Sequence, residues 1–417
     1  MAKALVIGGG IIGLSSAFYL HRSGWDVTVL DKSDFNDNCS YGNCGYICPS
    51  HFIPLATPGV VKQGLKWMLN SKSPFYVQPR LDRDLISWGL KFIRSANNKH
   101  VNAAATPLRD ISLFSKKEYE SWLALPEFDF AYEQKGLLEI FQTDHAEEHA
   151  KHTVEKAHEI GLTDTRLLTA DELQALEPHT KINGRGAIHF NCDAHCFPNK
   201  LMQQLISYLK VKGVKLIANQ EVNGFEKEGG RIKKVLTPDA VYDLDEVVIA
   251  TGSWARGTIK LLDTKIPLMP GRGYSVTLEN SPYKVNYPAV LVEGRAAITP
   301  MNGNKIRFGG TMEITSHKTA PRMNRVQGIL DAVKRYYPEF DVALPAKENI
   351  WYGYRPCSAD GLPYIGRINK YKNVTVATGH SMLGLSLGAG TGKLVDQVIN
   401  NNKTGISLDP FRPERFS

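Results

Sequence analysis

Lys3-Ala4-Leu5-Val6-Ile7-Gly8-Gly9-Gly10-Ile11-Ile12-Gly13 decides the fold. Ala4 to Ile7 is an unbroken apolar run, as in a strand buried on both faces of a parallel sheet. The glycines follow at once in the pattern G-x-G-x-x-G. Residues 14–22 then read as a helix with Leu14, Ala17, Phe18 and Leu20 on its apolar side, ended by Gly24. Trp25 to Leu30 is a second strand, and Asp31 stands at its C-terminal end. Each position has a task. Gly8 permits the tight turn, Gly10 lets the backbone approach a pyrophosphate, and Gly13 lets helix and strand pack closely. The helix start at Ile11 and Ile12 offers unpaired N–H groups to phosphate oxygens. Asp31, with Lys32 beside it, is placed to accept hydrogen bonds from adenosine ribose hydroxyls. The pattern predicts a dinucleotide site. Its place at residue 8, ahead of long insertions, favours a flavin over a nicotinamide.

Working outward, residues 32–58 form a long loop rich in Asn, Ser, Gly, Pro and Cys, and loops of that length are usually functional. Segments 60–69, 85–94 and 108–125 carry helical periodicity, 130–142 alternates around Gly136, and 146–160 is a charged helix. Thr169 followed by Glu172 is a capping-box pattern. A helix is expected at 199–212 and strands at 214–217 and 221–225. A hairpin is expected over 231–236 and 240–244, then a buried strand from Glu246 into Ala250-Thr251-Gly252. Residues 265–314 alternate like an antiparallel sheet, and 325–337 is helical. The expected fold is α/β. A Rossmann-like FAD-binding domain with a parallel central sheet takes residues 1–70, 186–264 and 350–417. An inserted α+β substrate domain on an antiparallel sheet takes 71–185 and 265–349.

The last third carries a second cluster of signals. Gly353-Tyr354-Arg355-Pro356 leads to Asp360-Gly361-Leu362-Pro363, then to a strand over 373–378 and Gly379-His380-Ser381-Met382-Leu383-Gly384. A glycine-rich helix is expected from 385 to 399, opening at Gly384. Its first N–H groups would face the pyrimidine edge of a flavin, where reduction places negative charge. Arg355, on a rigid turn before Pro356, suits bidentate binding of a carboxylate.

With those residues in place, the chain resembles the D-amino-acid oxidase superfamily of flavoproteins, especially bacterial D-amino-acid dehydrogenases and glycine-oxidase-like and glyphosate-oxidoreductase-like enzymes. Four segments carry the likeness. They are the Gly8 to Gly13 turn with Asp31; Ser40-Tyr41-Gly42-Asn43-Cys44-Gly45 running on to Pro58-Gly59-Val60 and Leu65-Lys66-Trp67; Arg272-Gly273-Tyr274-Ser275; and Gly353 to Gly366 joined to Gly379-His380 and the Gly384 helix. The resemblance implies non-covalent FAD. It also implies oxidation of an amino acid to an imino acid by hydride transfer from Cα to flavin N5, with Arg355 on the substrate carboxylate. It places Ser40, Asn43, Cys44, Gly45, Val222, Thr251, Gly252, Gly353, Gly379, Leu383, Gly384 and Leu385 around the cofactor. Tyr274 is a second candidate substrate contact, and His380 a candidate that acts through backbone or imidazole. Two other readings stay open: oxidation of a secondary amine such as proline, hydroxyproline, sarcosine or an N-substituted glycine, and a non-catalytic flavin-binding subunit. The electron acceptor, whether quinone, dye or oxygen, and the substrate's handedness also stay open.

Composition bounds the rest. The 417 residues are 42% hydrophobic and 22% charged, as in an ordinary globular protein, with a net charge of +8 spread along the chain. No aromatic-plus-basic module suggests nucleic acid. No secretory signal precedes the six cysteines, so reduced thiols and a cytoplasmic location are expected, with membrane contact at most peripheral on the inner face. The spacings within Cys39, Cys44 and Cys48, and within Cys192, His195 and Cys196, match no ordinary zinc pattern. No metal is expected.

Overall fold

The computed structural model describes residues 1–60, 64 and 72–416. It is a mixed α/β fold built around two large sheets. In the six-stranded sheet, Lys3–Ile7 lies between Asp26–Leu30 and Glu246–Ile249, parallel to both. Lys215–Ile217 extends one side and Val374–Thr378 the other, both parallel, and Tyr364–Arg367 closes the far edge antiparallel. Strand order therefore reverses at Lys3–Ile7. At such a switch point the strands' carboxyl ends leave a crevice for a ligand. Ala4 to Ile7 and Val247 to Ile249 are buried because helices cover one face and a three-stranded antiparallel sheet, Gly224–Glu228, Arg231–Leu236 and Val241–Asp243, with the short helix Ala255–Lys260 covers the other. The helices Ile11–Arg22 and Gly388–Ile399 lie side by side on one face.

The second sheet has nine strands. Its main path runs Trp351–Ser358, Leu268–Leu278, Lys305–Ile314, Ala296–Met301, Ala289–Leu291, Leu137–Phe141, Gly186–Phe190 and Thr165–Thr169. Two pairings in it are parallel, Ala289–Leu291 with Leu137–Phe141 and Lys305–Ile314 with Phe75–Val77; the remaining ones are antiparallel. Helix Met323–Tyr336 covers one face and buries Val326, Ile329, Leu330 and Val333 against Ile298 and Phe308.

Several expectations need correction. Gly186–Phe190 and Trp351–Ser358 fall in the nucleotide-binding part by sequence, yet both are strands of the second sheet. Apolar runs alone do not tell which sheet a strand joins. In 130–142 only Leu137–Phe141 is a strand, while Glu133 makes a single bridge to His195. The 221–225 strand is Gly224–Glu228, leaving Val222 in the preceding loop. The final α-helix starts at Gly388, after a 3-10 turn at Ser381–Leu383. The expected helix at 60–69, with Leu65-Lys66-Trp67, lies almost wholly outside the described residues. The Thr169/Glu172 capping box is present in full.

Candidate functional site

The Gly8 to Gly13 turn is shaped by backbone crowding. Gly8 sits at φ +114, and a Cβ there would press into the Ala250 carbonyl. A Cβ on Gly13 would overlap the Gly8 carbonyl. A Cβ on Gly10 would meet only Ser40 Oγ, at 3.6 Å, because Gly10 faces open space. Ile11 N–H donates to Ser40 Oγ at 3.1 Å, which pins the 38–45 loop over the helix start. Asp31 accepts from Gly9 N at 2.5 Å and from Ser33 N and Oγ at 2.7 Å, so its carboxylate is held at the sheet edge. Lys32 Nζ lies 3.8 Å above the Trp254 ring.

One cavity of about 1280 Å³ runs from this turn to the second sheet. It is larger than a drug-sized pocket and has room for an extended dinucleotide together with a small molecule. Its wall includes Gly8, Gly10, Ile11, Ile12, Asp31, Lys32, Ser40, Asn43, Cys44, Val222, Thr251, Gly252, Gly353, Leu383, Gly384 and Leu385. Arg355, Tyr274 and His380 line it too. Gly13, Gly45 and Gly379 do not reach it, and they shape the backbone behind it. Gly45 (φ +80) lies against the Cys196 carbonyl, and Gly379 (φ +80) against the Tyr364 ring.

At the far end, Gly384 continues the 3-10 turn in right-handed helical geometry. The N–H groups of Gly384 and Leu385 have no acceptor among the described residues. These are two donors on the cavity wall, as an anionic ring edge requires, although the long helix begins four residues later. With open donors at the Gly384 end and a glycine floor at Gly10 at the other, the residues fit FAD.

The loop that joins the two ends is clamped from outside. Arg307, 5% exposed, donates through Nη1 to the Tyr41 and Asn43 carbonyls at 2.9 and 2.7 Å and through Nη2 to Asn199 Oδ1 at 3.1 Å. The Trp351 indole is wedged between Gly42 and Gly353, where any Cβ would strike the ring. Neither Arg307 nor Trp351 was marked as a site residue from sequence; only the order of strands brings them under the loop.

Arg355 lies flat over Gly273, where a Cβ would meet Nη1, Cζ and Nη2 together. Nη1 donates to the Thr311 carbonyl. No carboxylate pairs with Arg355 among the described residues, and burial pulls its pKa down. The titratable groups around it are the Cys357, Cys44 and Cys39 thiols, and burial raises the pKa of each, so they stay neutral. Tyr274 is engaged otherwise. Its hydroxyl donates to Glu313 Oε2 at 2.7 Å and accepts from Arg322 N at 2.9 Å. His380 is 2% exposed, with Nε2 3.0 Å from Thr391 Oγ1, and burial lowers its pKa to about 3. That ring is neutral and turned to the last helix.

Cys39, Cys44 and Cys48 do not meet at one point. Cys39 accepts from Tyr354 N at 3.2 Å, and Cys44 packs over Gly309. Cys48 instead meets His51 and Asp193, with one ligand atom of each within 4.8 Å of the others. The signal that could have found this trio is Cys48-x-x-His51.

A family model described as "DAO: FAD dependent oxidoreductase" matches residues 3–398. A D-amino acid dehydrogenase of Helicobacter pylori is 30% identical over 404 residues, covering 94% of this chain and 93% of that protein. Another, from Neisseria meningitidis serogroup C, is 28% identical over 424 residues, 99% of each chain. Among solved structures, glycine oxidase from Geobacillus kaustophilus matches with a TM-score of 0.76 at 21% identity, over 99% of this chain and 98% of its own. L-proline dehydrogenase from P. horikoshii matches with a TM-score of 0.75 at 22% identity, over 100% and 97%. These two structures share the fold.

Proposed function

Because this chain belongs to the FAD-dependent oxidoreductase family, we propose that it oxidises an amino acid, D-configured as the names of its curated relatives suggest, to the imino acid. The observation that carries the reading is Arg355, a cavity-wall guanidinium with no internal carboxylate partner. A buried cation without a partner is costly unless a ligand supplies the anion. The substrate carboxylate is that anion, and Arg355 holds it through two parallel hydrogen bonds.

In this reading the six-stranded sheet and its Gly8, Gly10, Ile11, Ile12 and Asp31 turn hold the adenosine and phosphates. Ser40, Asn43, Cys44, Gly384 and Leu385 hold the ring end. Bound FAD supplies the two-electron acceptor. The Thr311 carbonyl fixes Arg355 Nη1, so the substrate is oriented by a guanidinium that is itself held. Small residues on the floor, Ala297, Gly309 and Gly310, leave room for its side chain. The amine binds neutral or loses its proton to water, since His380 is tied to Thr391. Tyr274 orders the Glu313 network rather than reaching the substrate.

The test is anaerobic bleaching of the flavin by a panel of D- and L-amino acids, repeated with Arg355→Leu. The expected result is bleaching by D-amino acids, with KM raised sharply in the variant while FAD stays bound. Unchanged KM in the variant overturns the role of Arg355. A flavin that no amine bleaches favours the non-catalytic subunit, and bleaching by secondary amines alone favours the second reading.

No helix among the described residues is long and apolar enough to cross a membrane. We propose peripheral contact with an anionic bilayer through helix Arg83–Ser95. It buries Trp88 and Phe92 but leaves Ile86, Leu90 and Ile93 each 55% exposed. Arg83, Lys91 and Arg94 flank that stripe, and no acid pairs with them among the described residues. A quinone dissolved in the bilayer is then the proposed acceptor. Vesicles of phosphatidylglycerol should co-sediment the protein and phosphatidylcholine vesicles should not. Equal binding after Ile86→Ser with Leu90→Ser sinks the proposal.

A further inference from the structure

We propose that Cys48, His51 and Asp193 form a binding site for a thiophilic divalent transition-metal ion of the zinc class. The site does not depend on the amino-acid reading above. Its ligands come from two short segments that a two-stranded ribbon holds together. Tyr46 pairs with His195 and Ile47 with Ala194, antiparallel, so the next step of the ribbon sets Cys48 against Asp193. His51 follows Cys48 by three residues, and one ligand atom from each of the three side chains lies within 4.8 Å of the others. Closing to tetrahedral ligand contacts takes side-chain motion of about 1 Å.

The ligands are held from behind. Cys48 N–H donates to Ser386 Oγ at 2.9 Å. Asp193 accepts from Ser50 N at 3.0 Å on Oδ1 and from Ser50 Oγ at 2.5 Å on Oδ2. Ser50 Oγ is also 3.2 Å from His51 Nδ1. A residue that orients a carboxylate and an imidazole at once is the support that metal ligands require.

Charge points the same way. Asp193 is fully buried, and no cation pairs with it among the described residues. Glu139 lies on the cavity wall close to it. A fully buried carboxylate with no paired cation among the described residues is costly, and a divalent ion offsets it. Sulfur, imidazole and carboxylate together select zinc-class ions over magnesium or calcium. Cys48 and His51 line the cavity while Asp193 stands behind them, so the fourth position opens to cavity water. Binding releases the Cys48 thiol proton to solvent as the sulfur–metal bond forms.

The test uses the FAD-loaded protein, stripped of metal with a chelator. Zinc retention after gel filtration is measured by elemental analysis. Cobalt is titrated while ligand-field bands are followed to the red of flavin absorption. One ion per chain is expected, with cobalt bands of a tetrahedral thiolate site. Cys48→Ala and His51→Gln should each weaken binding at least 100-fold, and Ser50→Ala about 10-fold. Cys39→Ser, at a thiol that accepts from Tyr354 N and lies outside the trio, should change it less than 3-fold. Flavin absorbance reports whether each variant has folded, and the three other variants carry the test if one fails. No retained zinc in the parent protein, equal retention in Cys48→Ala and His51→Gln, or a large loss in Cys39→Ser overturns the proposal.

Discussion

Two guanidinium groups sit on neighbouring strands of the second sheet and live in opposite electrostatic worlds. Arg272 is fully buried and fully matched. Its Nε donates to Glu313 Oε2 at 2.9 Å, and its two terminal nitrogens donate to the Thr319 and Ala320 carbonyls at 2.6 and 2.9 Å. Arg325 and Arg322 approach the same Glu313, at 3.5 and 3.9 Å. Arg355 is one strand away, its strand paired Gly271 to Arg355 and Arg272 to Tyr354, yet among the described residues it meets only the Thr311 carbonyl and the Met312 sulfur and no carboxylate. The first region spends its charges on itself and holds the sheet's edge together. The second leaves a charge unspent where the cavity begins. What separates the two arginines is the carboxylate that pairs with Arg272 and, among the described residues, none with Arg355.

The comparison breaks most sharply at Glu313. Glu313→Gln leaves three guanidiniums around a neutral amide, so stability should fall by about 4 kcal/mol, read by chemical denaturation. Arg355→Leu should do the reverse. Stability holds or rises, while kcat/KM for amino acids drops roughly 100-fold, equivalent to about 3 kcal/mol. If both variants lose stability equally, the distinction between the two regions is wrong.

Glu139 extends the contrast to the opposite sign. No hydrogen bond or ion pair reaches its carboxylate among the described residues, and burial, with Asp193 nearby, pushes its pKa up to about 7 against the opposing pull of Arg295. The folded state therefore binds this proton more tightly than the unfolded chain, whose glutamate titrates near ~4.3. The stability that proton gives is complete below that value and is lost as pH rises through about 7. Relative to Glu139→Gln, the parent should lose on the order of 2 kcal/mol between the two, read from denaturation curves at acidic and neutral pH. A flat difference would mean that Glu139 finds a partner in solution. The smallest effect is expected from Tyr274→Phe, about 1 kcal/mol of stability with KM changed less than 2-fold. A large KM change would return Tyr274 to the substrate.

The glycine turn was legible because its demands are local. Gly8 and Gly13 each answer a crossing of backbone a few residues or one strand away, Gly10 faces the open cavity, and strand, turn, helix and acid stand in one short run. Arg355 was legible as a residue but not as a vacancy. Its freedom depends on Glu313 choosing Arg272 instead, and that choice rests on three strands far apart in sequence. The mis-sorted strands Gly186–Phe190 and Trp351–Ser358 failed for the same reason, since period shows a strand and not its neighbours. Asp193 was invisible as a companion of Cys48 and His51 because it lies 143 residues beyond Ser50, across a ribbon of two pairs.

Trp351 ends the chain of consequences. Its indole fills the notch between Gly42, in the loop over the ring end, and Gly353, two residues before Arg355. Loop and strand thus share one rigid joint, and whatever orders one orders the other. A carboxylate bound at Arg355 should then lower the Kd for FAD, and FAD the Kd for the carboxylate, by the same factor.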